Sequence, residues 1–132
     1  VYGIIFFLIS HILYIKAFII GYSFKSWHIY IIILFLILGF ILSIVFYKRS
    51  GKLGKAVIFY IIVLLTMTLV SIVRINNEDS STIFVLIGAL LFFISDFILA
   101  FDEFINKVPY ATVLVWFLYA PAQMLIALSC IV

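Results

Sequence analysis

An aspartate stands inside FFISDFILAFDEF, residues 92–104, where Asp96 has only apolar residues and one serine for four positions on either side. A carboxylate at the centre of a bilayer costs about 2.5–3.5 kcal/mol on insertion scales, so such a group faces a protein interior or a wet cavity and reads first as functional. A carboxyl group in an apolar slot is suited to acid–base work. Asp96 lies five residues before Phe101, about 7.5 Å inside that end of the apolar run at 1.5 Å per residue. Its side chain is too short to reach water over that distance, and it needs partners.

The sequence offers several. Phe7, His11, Tyr14 and Phe18 are spaced as one helical stripe, and Thr112, Trp116, Tyr119 and Gln123 repeat that spacing. Gly88, Phe92, Ser95 and Leu99 run alongside Asp96, with Gly88 and Ala89 small enough to let another helix approach. If the three stripes face one another, they line an apolar pocket with an acid, an imidazole and several donors, as a site for an amphipathic lipid requires. We therefore take Asp96 as the candidate catalytic residue, and His11, Tyr14, Ser95, Tyr119 and Gln123 as candidate substrate-binding or supporting residues. Each has a structural alternative. His11 and Gln123 can tie helices together, Tyr14, Trp116 and Tyr119 can be packing or interface aromatics, and Asp96 can make a structural hydrogen bond. Lys16 is expected to snorkel to the membrane edge, and Asp102 and Glu103 to end their helix. No cofactor or metal is expected. Cys130 is the one cysteine, which excludes an internal disulfide and reads as a small hydrophobe.

The elements that must hold these residues are membrane spans. Of 132 residues, 69% are hydrophobic and 10% charged, with a mean hydropathy of +1.48. A soluble domain sits nearer half apolar and a quarter charged, so the chain is read as an integral membrane protein. Five apolar stretches, at about 1–22, 29–47, 56–73, 82–101 and 110–132, approach the roughly 20 residues a helix needs to cross the hydrocarbon. Short loops of Gly, Pro, Asn and charged residues separate them. Ser80, Ser81 and Thr82 suit the N-cap of the fourth, and Pro109 suits the start of the fifth. Lipid cannot satisfy an open backbone, so the spans are helices. The expected fold is an all-α, polytopic transmembrane bundle forming one domain over 1–132.

Lys48, Arg49, Lys52 and Lys55 crowd into KRSGKLGK, and Lys107 falls on the same side, against Lys25 and Arg74 on the other. The excess of basic residues puts the 48–55 loop in the cytoplasm. The net charge of +3 is explained by that loop and does not point to nucleic acid. GKLGK lacks the spacing of a phosphate-binding loop and has no flanking strand.

Three motifs in order resemble the YhhN family, which includes lysoplasmalogenases. GALLFFISDFILA supplies Gly88, Phe92, Ser95, Asp96, Leu99 and Ala100. YAPAQMLIA supplies Tyr119, Ala122, Gln123, Leu125, Ile126 and Ala127, and GIIFFLISHILYIKAF supplies Gly3, Phe7, His11, Tyr14 and Phe18. The resemblance implies a protein of about eight spans, five of them visible here, in a bacterial plasma membrane. It further implies a hydrolase that cleaves the vinyl ether bond of an ether lysolipid, so that the partner is a membrane lipid or lysophospholipid. The family carries another intramembrane acid in a G-D motif upstream of the His motif. The chain begins after that point, and is read as the C-terminal part of a longer domain with half of a two-carboxylate site. Two readings from other classes stand beside this one: a proton-coupled small transporter using Asp96 and His11 as a relay, and a structural membrane subunit. The oligomeric state is left open.

Overall fold

The computed structural model describes residues 2–20, 25–75 and 81–131, the first three of them as backbone. Every regular element among these residues is helical: α1 (Tyr2–Ile19), α2 (His28–Arg49), a 3-10 turn (Gly51–Leu53), α3 (Gly54–Val73), α4 (Ser81–Phe104) and α5 (Ala111–Leu128). The stretches 28–49, 51–73, 81–104 and 111–128 are long and apolar enough to cross a membrane, whereas the apolar run of α1, Ile5–Ile19, is shorter. The chain is an all-α, multi-pass membrane protein. Four expected boundary residues, Val1, Tyr22, Ser80 and Val132, lie outside the described residues.

Contacts divide the chain into two compact units, Val1–Arg74 and Ile75–Val132. In the first, α3 packs against both α1 and α2. Residues 57, 61, 64, 65, 68 and 71 of α3 follow helical spacing and are all buried. Its two buried aliphatic hydroxyls bond within the helix. Thr68 donates to the Leu64 carbonyl at 3.0 Å and Ser71 to that of Thr68 at 2.7 Å, so each satisfies itself on its own helix. Gly39 of α2 meets α3 closely: a Cβ there would stand 3.1 Å from Leu65 Cδ1. The rest of α2 is largely exposed, with only His28 and Phe46 buried, as befits a helix whose surroundings are hydrocarbon.

The second unit is a hairpin of α4 and α5. Ser95 meets Val115, Phe92 meets Tyr119, and Gly88 meets Ala122 and Ile126. Numbers fall on α4 as they rise on α5, so the helices run antiparallel. The buried residues of α4 are Ser81, Thr82, Val85, Gly88, Ala89, Phe92, Ser95 and Asp96, an unbroken stripe of period about 3.6. Ser81 and Thr82 are the first two residues of the helix rather than its cap.

At the other end the helix runs one residue past Glu103, to Phe104, so both carboxylates stand in its last turn. Asp102 also holds the following loop: its Oδ1 accepts from the Val108 amide at 2.7 Å and its Oδ2 from Lys107 Nζ at 3.2 Å. Pro109 is not in the first turn of α5. It occupies the second position of a turn closed by the Ala111 amide donating to the Val108 carbonyl at 3.1 Å. Tyr110 takes the third position with φ 59°, a left-handed conformation that such Pro-initiated turns usually give to glycine.

Candidate active site

The period of α4 carries Ser95 and Asp96 onto one buried face with Phe92 and Gly88. Asp96 is 5% exposed. Of the three carboxylates among the described residues, Asp102 and Glu103 lie at the helix end, and Asp96 is the one buried within a span. Ser95, one position round the helix, donates its hydroxyl to the Val115 carbonyl of α5 at 3.1 Å. One turn earlier, the Phe92 ring meets Tyr119 edge-on, with centroids 5.4 Å apart and planes at 64°. Tyr119 meets the Trp116 ring edge-on at 5.8 Å. Gln123, one turn beyond Tyr119 on α5, is half-buried. The hairpin thus brings Ser95 and Tyr119 into one α4–α5 interface, whose α4 face also carries Asp96.

Gly88 makes this close arrangement possible. A Cβ at that position would lie 2.8 Å from Ile126 Cγ1 and 3.0 Å from the Ala122 carbonyl oxygen. Without a hydrophobic drive between helices in lipid, association rests on packing and hydrogen bonds, and small residues permit both.

The stripes are only partly as expected. On α5 the buried residues are Ala111, Ala122 and Ile126, and Trp116 is 63% exposed. Thr112 and Trp116 belong to the outer side of the helix, where they line an open apolar groove with Val113, Phe117, Ala120 and Pro121. Tyr119 and Gln123 flank the packed face, and only that half of the stripe turns inward. On α4, Leu99 is 50% exposed, so the buried stripe ends at Asp96. That groove on α5 contains none of the candidate residues.

His11 and Tyr14 belong to the first unit, where the α1 stripe does form the inner face: His11 and Phe18 are buried, and Phe7 and Tyr14 half-buried. His11 Nδ1 lies 2.6 Å from the Phe7 carbonyl. A carbonyl only accepts, so Nδ1 carries a proton and donates it to Phe7. The ring meets Tyr60 of α3 edge-on at 5.6 Å, and Tyr14 stacks on Phe18 at 6.0 Å with planes 7° apart.

Two residues at these positions were not read from the sequence. Tyr60 is one aromatic in an apolar helix, and nothing in its spacing marks it as the neighbour of His11. His28 fell within an expected loop, yet it opens α2 and is buried. Its Nδ1 accepts the Lys25 amide at 3.1 Å, and Trp27 meets it edge-on at 4.2 Å. The bond ties the turn before α2 to the first residue of the helix, and no capping motif in K-S-W-H announces it.

Comparison with known proteins supports the motif reading. A stretch of 44 residues is 52% identical to the lysoplasmalogenase TMEM86A of Bos taurus, covering 33% of this chain and 18% of that protein. The chain thus corresponds to a small part of that relative's length. No solved structure matches. The model of the YhhN family matches residues 1–130, carrying all three motifs with it. The chain belongs to the YhhN family.

Proposed function

We propose that this chain is part of a membrane hydrolase of the lysoplasmalogenase type, which opens the vinyl ether bond of an ether lysolipid with Asp96 as its acid. The observation that carries this reading is the buried Asp96 on the α4 face that meets α5, beside Ser95 and one turn from the Phe92–Tyr119 contact. The identity shared with a lysoplasmalogenase over 44 residues supports it.

The chemistry asks for a proton first. The carboxylic acid of Asp96 gives its proton to the outer alkene carbon, forming a C–H bond, while the ether oxygen stabilises the cation left on the inner carbon. Water adds to that carbon and gives up a proton to the carboxylate. The resulting hemiacetal breaks its C–O bond to yield a fatty aldehyde and a glycerophospho-alcohol. One water is consumed and Asp96 ends as it began. A second carboxylate facing the cation would lower the barrier further, as in glycoside hydrolysis. Ser95, Tyr119 and Gln123, on the same hairpin as Asp96, serve as positioning groups for water, headgroup or the acid. In this reading the 48–55 turn lies on the cytoplasmic side of a plasma membrane.

Aldehyde release from a lysoplasmalogen by the natural, full-length protein tests the proposal. Asp96→Asn should lower the rate by roughly 10²–10⁴-fold, the range for loss of a general acid, with insertion and helix content unchanged. Retained activity in that variant would overturn the role of Asp96. Lipid movement across proteoliposomes without aldehyde from the wild-type protein would favour a transporter instead.

A further inference from the structure

We infer that the α2–α3 turn is a binding site for the headgroup of an anionic membrane lipid. The turn joins two helices that are long and apolar enough to span the bilayer, which puts it at the membrane surface. Lys48, Arg49, Lys52 and Lys55 are all exposed, and none forms an ion pair among the described residues. Nor does the sequence provide a nearby counterion: the first carboxylate in the chain is Glu78. Four cations within eight residues therefore look outward for their negative charge.

The backbone holds them in a defined arrangement. Ser50 is buried and donates its hydroxyl to the Phe46 carbonyl at 2.5 Å, and the Leu53 amide donates to the Ser50 carbonyl at 3.0 Å. Gly51 reverses the chain with φ 53°, a left-handed angle that glycine takes without strain.

The helix ends divide the cations into two pairs. Lys48 and Arg49 close α2, where the partial negative charge of a helix C-terminus already favours them. Lys52 and Lys55 flank the start of α3 at Gly54, where the partial positive charge of an N-terminus repels them. No side chain caps that N-terminus. Lys52 and Lys55 thus add their charge to the positive end of α3, and a phosphodiester there relieves both the lysines and the helix end. This site does not depend on the chemistry proposed for Asp96.

Equilibrium binding of short-chain phosphatidylglycerol to the full-length protein in neutral micelles tests the inference, with short-chain phosphatidylcholine and inorganic phosphate as comparisons. Phosphatidylglycerol should bind saturably and phosphatidylcholine far more weakly. Each cation removed should weaken binding by roughly fivefold at low salt. K52Q/K55Q should therefore lose roughly 25-fold, while K52R/K55R keeps its affinity. If K52Q/K55Q fails to fold, the wild-type protein decides through salt: binding must weaken steeply as ionic strength rises. Equal binding of the two lipids, salt-independent binding or an unchanged affinity in folded K52Q/K55Q overturns the site. Inorganic phosphate binding as tightly as the lipid would overturn its assignment to a lipid headgroup.

Discussion

Ser95 and Val115 are joined across the α4–α5 interface by a hydroxyl-to-carbonyl hydrogen bond of 3.1 Å. Ser95 precedes Asp96, so this bond fixes the rotation of α4 at the position that matters most for the proposed acid. Interhelical hydrogen bonds of this kind average about 0.6 kcal/mol in membrane proteins, with a maximum near 1.7. Ser95→Ala should therefore lower unfolding stability by about that average, measured by denaturant titration in micelles. A larger part of its effect should appear in activity, because Asp96 then loses the neighbour that sets its facing.

Gly88 offers a sharper test of the same interface. Its substitution by alanine places a Cβ against two different atoms, Ile126 Cγ1 at 2.8 Å and the Ala122 carbonyl oxygen at 3.0 Å. The side chain can yield but the backbone oxygen cannot without moving α5. Overpacking of this sort costs about 1–3 kcal/mol. Gly88→Ala should be destabilising, and adding Ile126→Ala should restore only part of the loss. A complete rescue in that double-mutant cycle would show that the backbone contact is unimportant.

Asp102 and Lys107 invite a comparison rather than a pair of equal effects. The Asp102 carboxylate accepts the Val108 amide at 2.7 Å, closing the loop between α4 and α5, while the Lys107 contact at 3.2 Å involves an ammonium whose side chain is 78% exposed. An exposed ion pair contributes little, whereas a charge-assisted bond to a backbone amide organises the chain. Asp102→Ala should lower the melting temperature more than Lys107→Ala does. It should also speed amide exchange at Val108, which Lys107→Ala should leave nearly unchanged.

The helices were legible because lipid leaves a chain few options: about 20 apolar residues between polar loops is a span. The inner face of α4 was legible too, since Gly88, Phe92, Ser95 and Asp96 keep the helical period and include residues unsuited to lipid. The face of α5 was only half legible. Trp116 and Tyr119 are both amphipathic aromatics, equally at home against lipid at the interface or against another helix, and spacing alone does not separate them. Burial turns Tyr119 towards Phe92 and leaves Trp116 outside. The bond by which Asp102 holds the loop was not legible, for a different reason. Its partner is a backbone amide six residues on, created by the loop conformation and invisible in the order of residues. The same holds for Tyr110, whose left-handed φ follows from the Pro109 turn.

Tyr119 allows ring and hydroxyl to be separated. Its ring packs edge-on against Phe92 at 5.4 Å, an aromatic contact contributing about 0.5–1.5 kcal/mol beyond its area. Tyr119→Phe keeps that contact and removes only the hydroxyl, whereas Tyr119→Ala loses the contact as well and should destabilise the hairpin further. If the hydroxyl positions water or headgroup, Tyr119→Phe should reduce aldehyde release under conditions where the variant is still fully folded by denaturant titration. A phenylalanine variant with full activity would confine Tyr119 to packing. Because both substitutions are read against the same two measurements, the structural and positioning roles of this residue are told apart within one experiment.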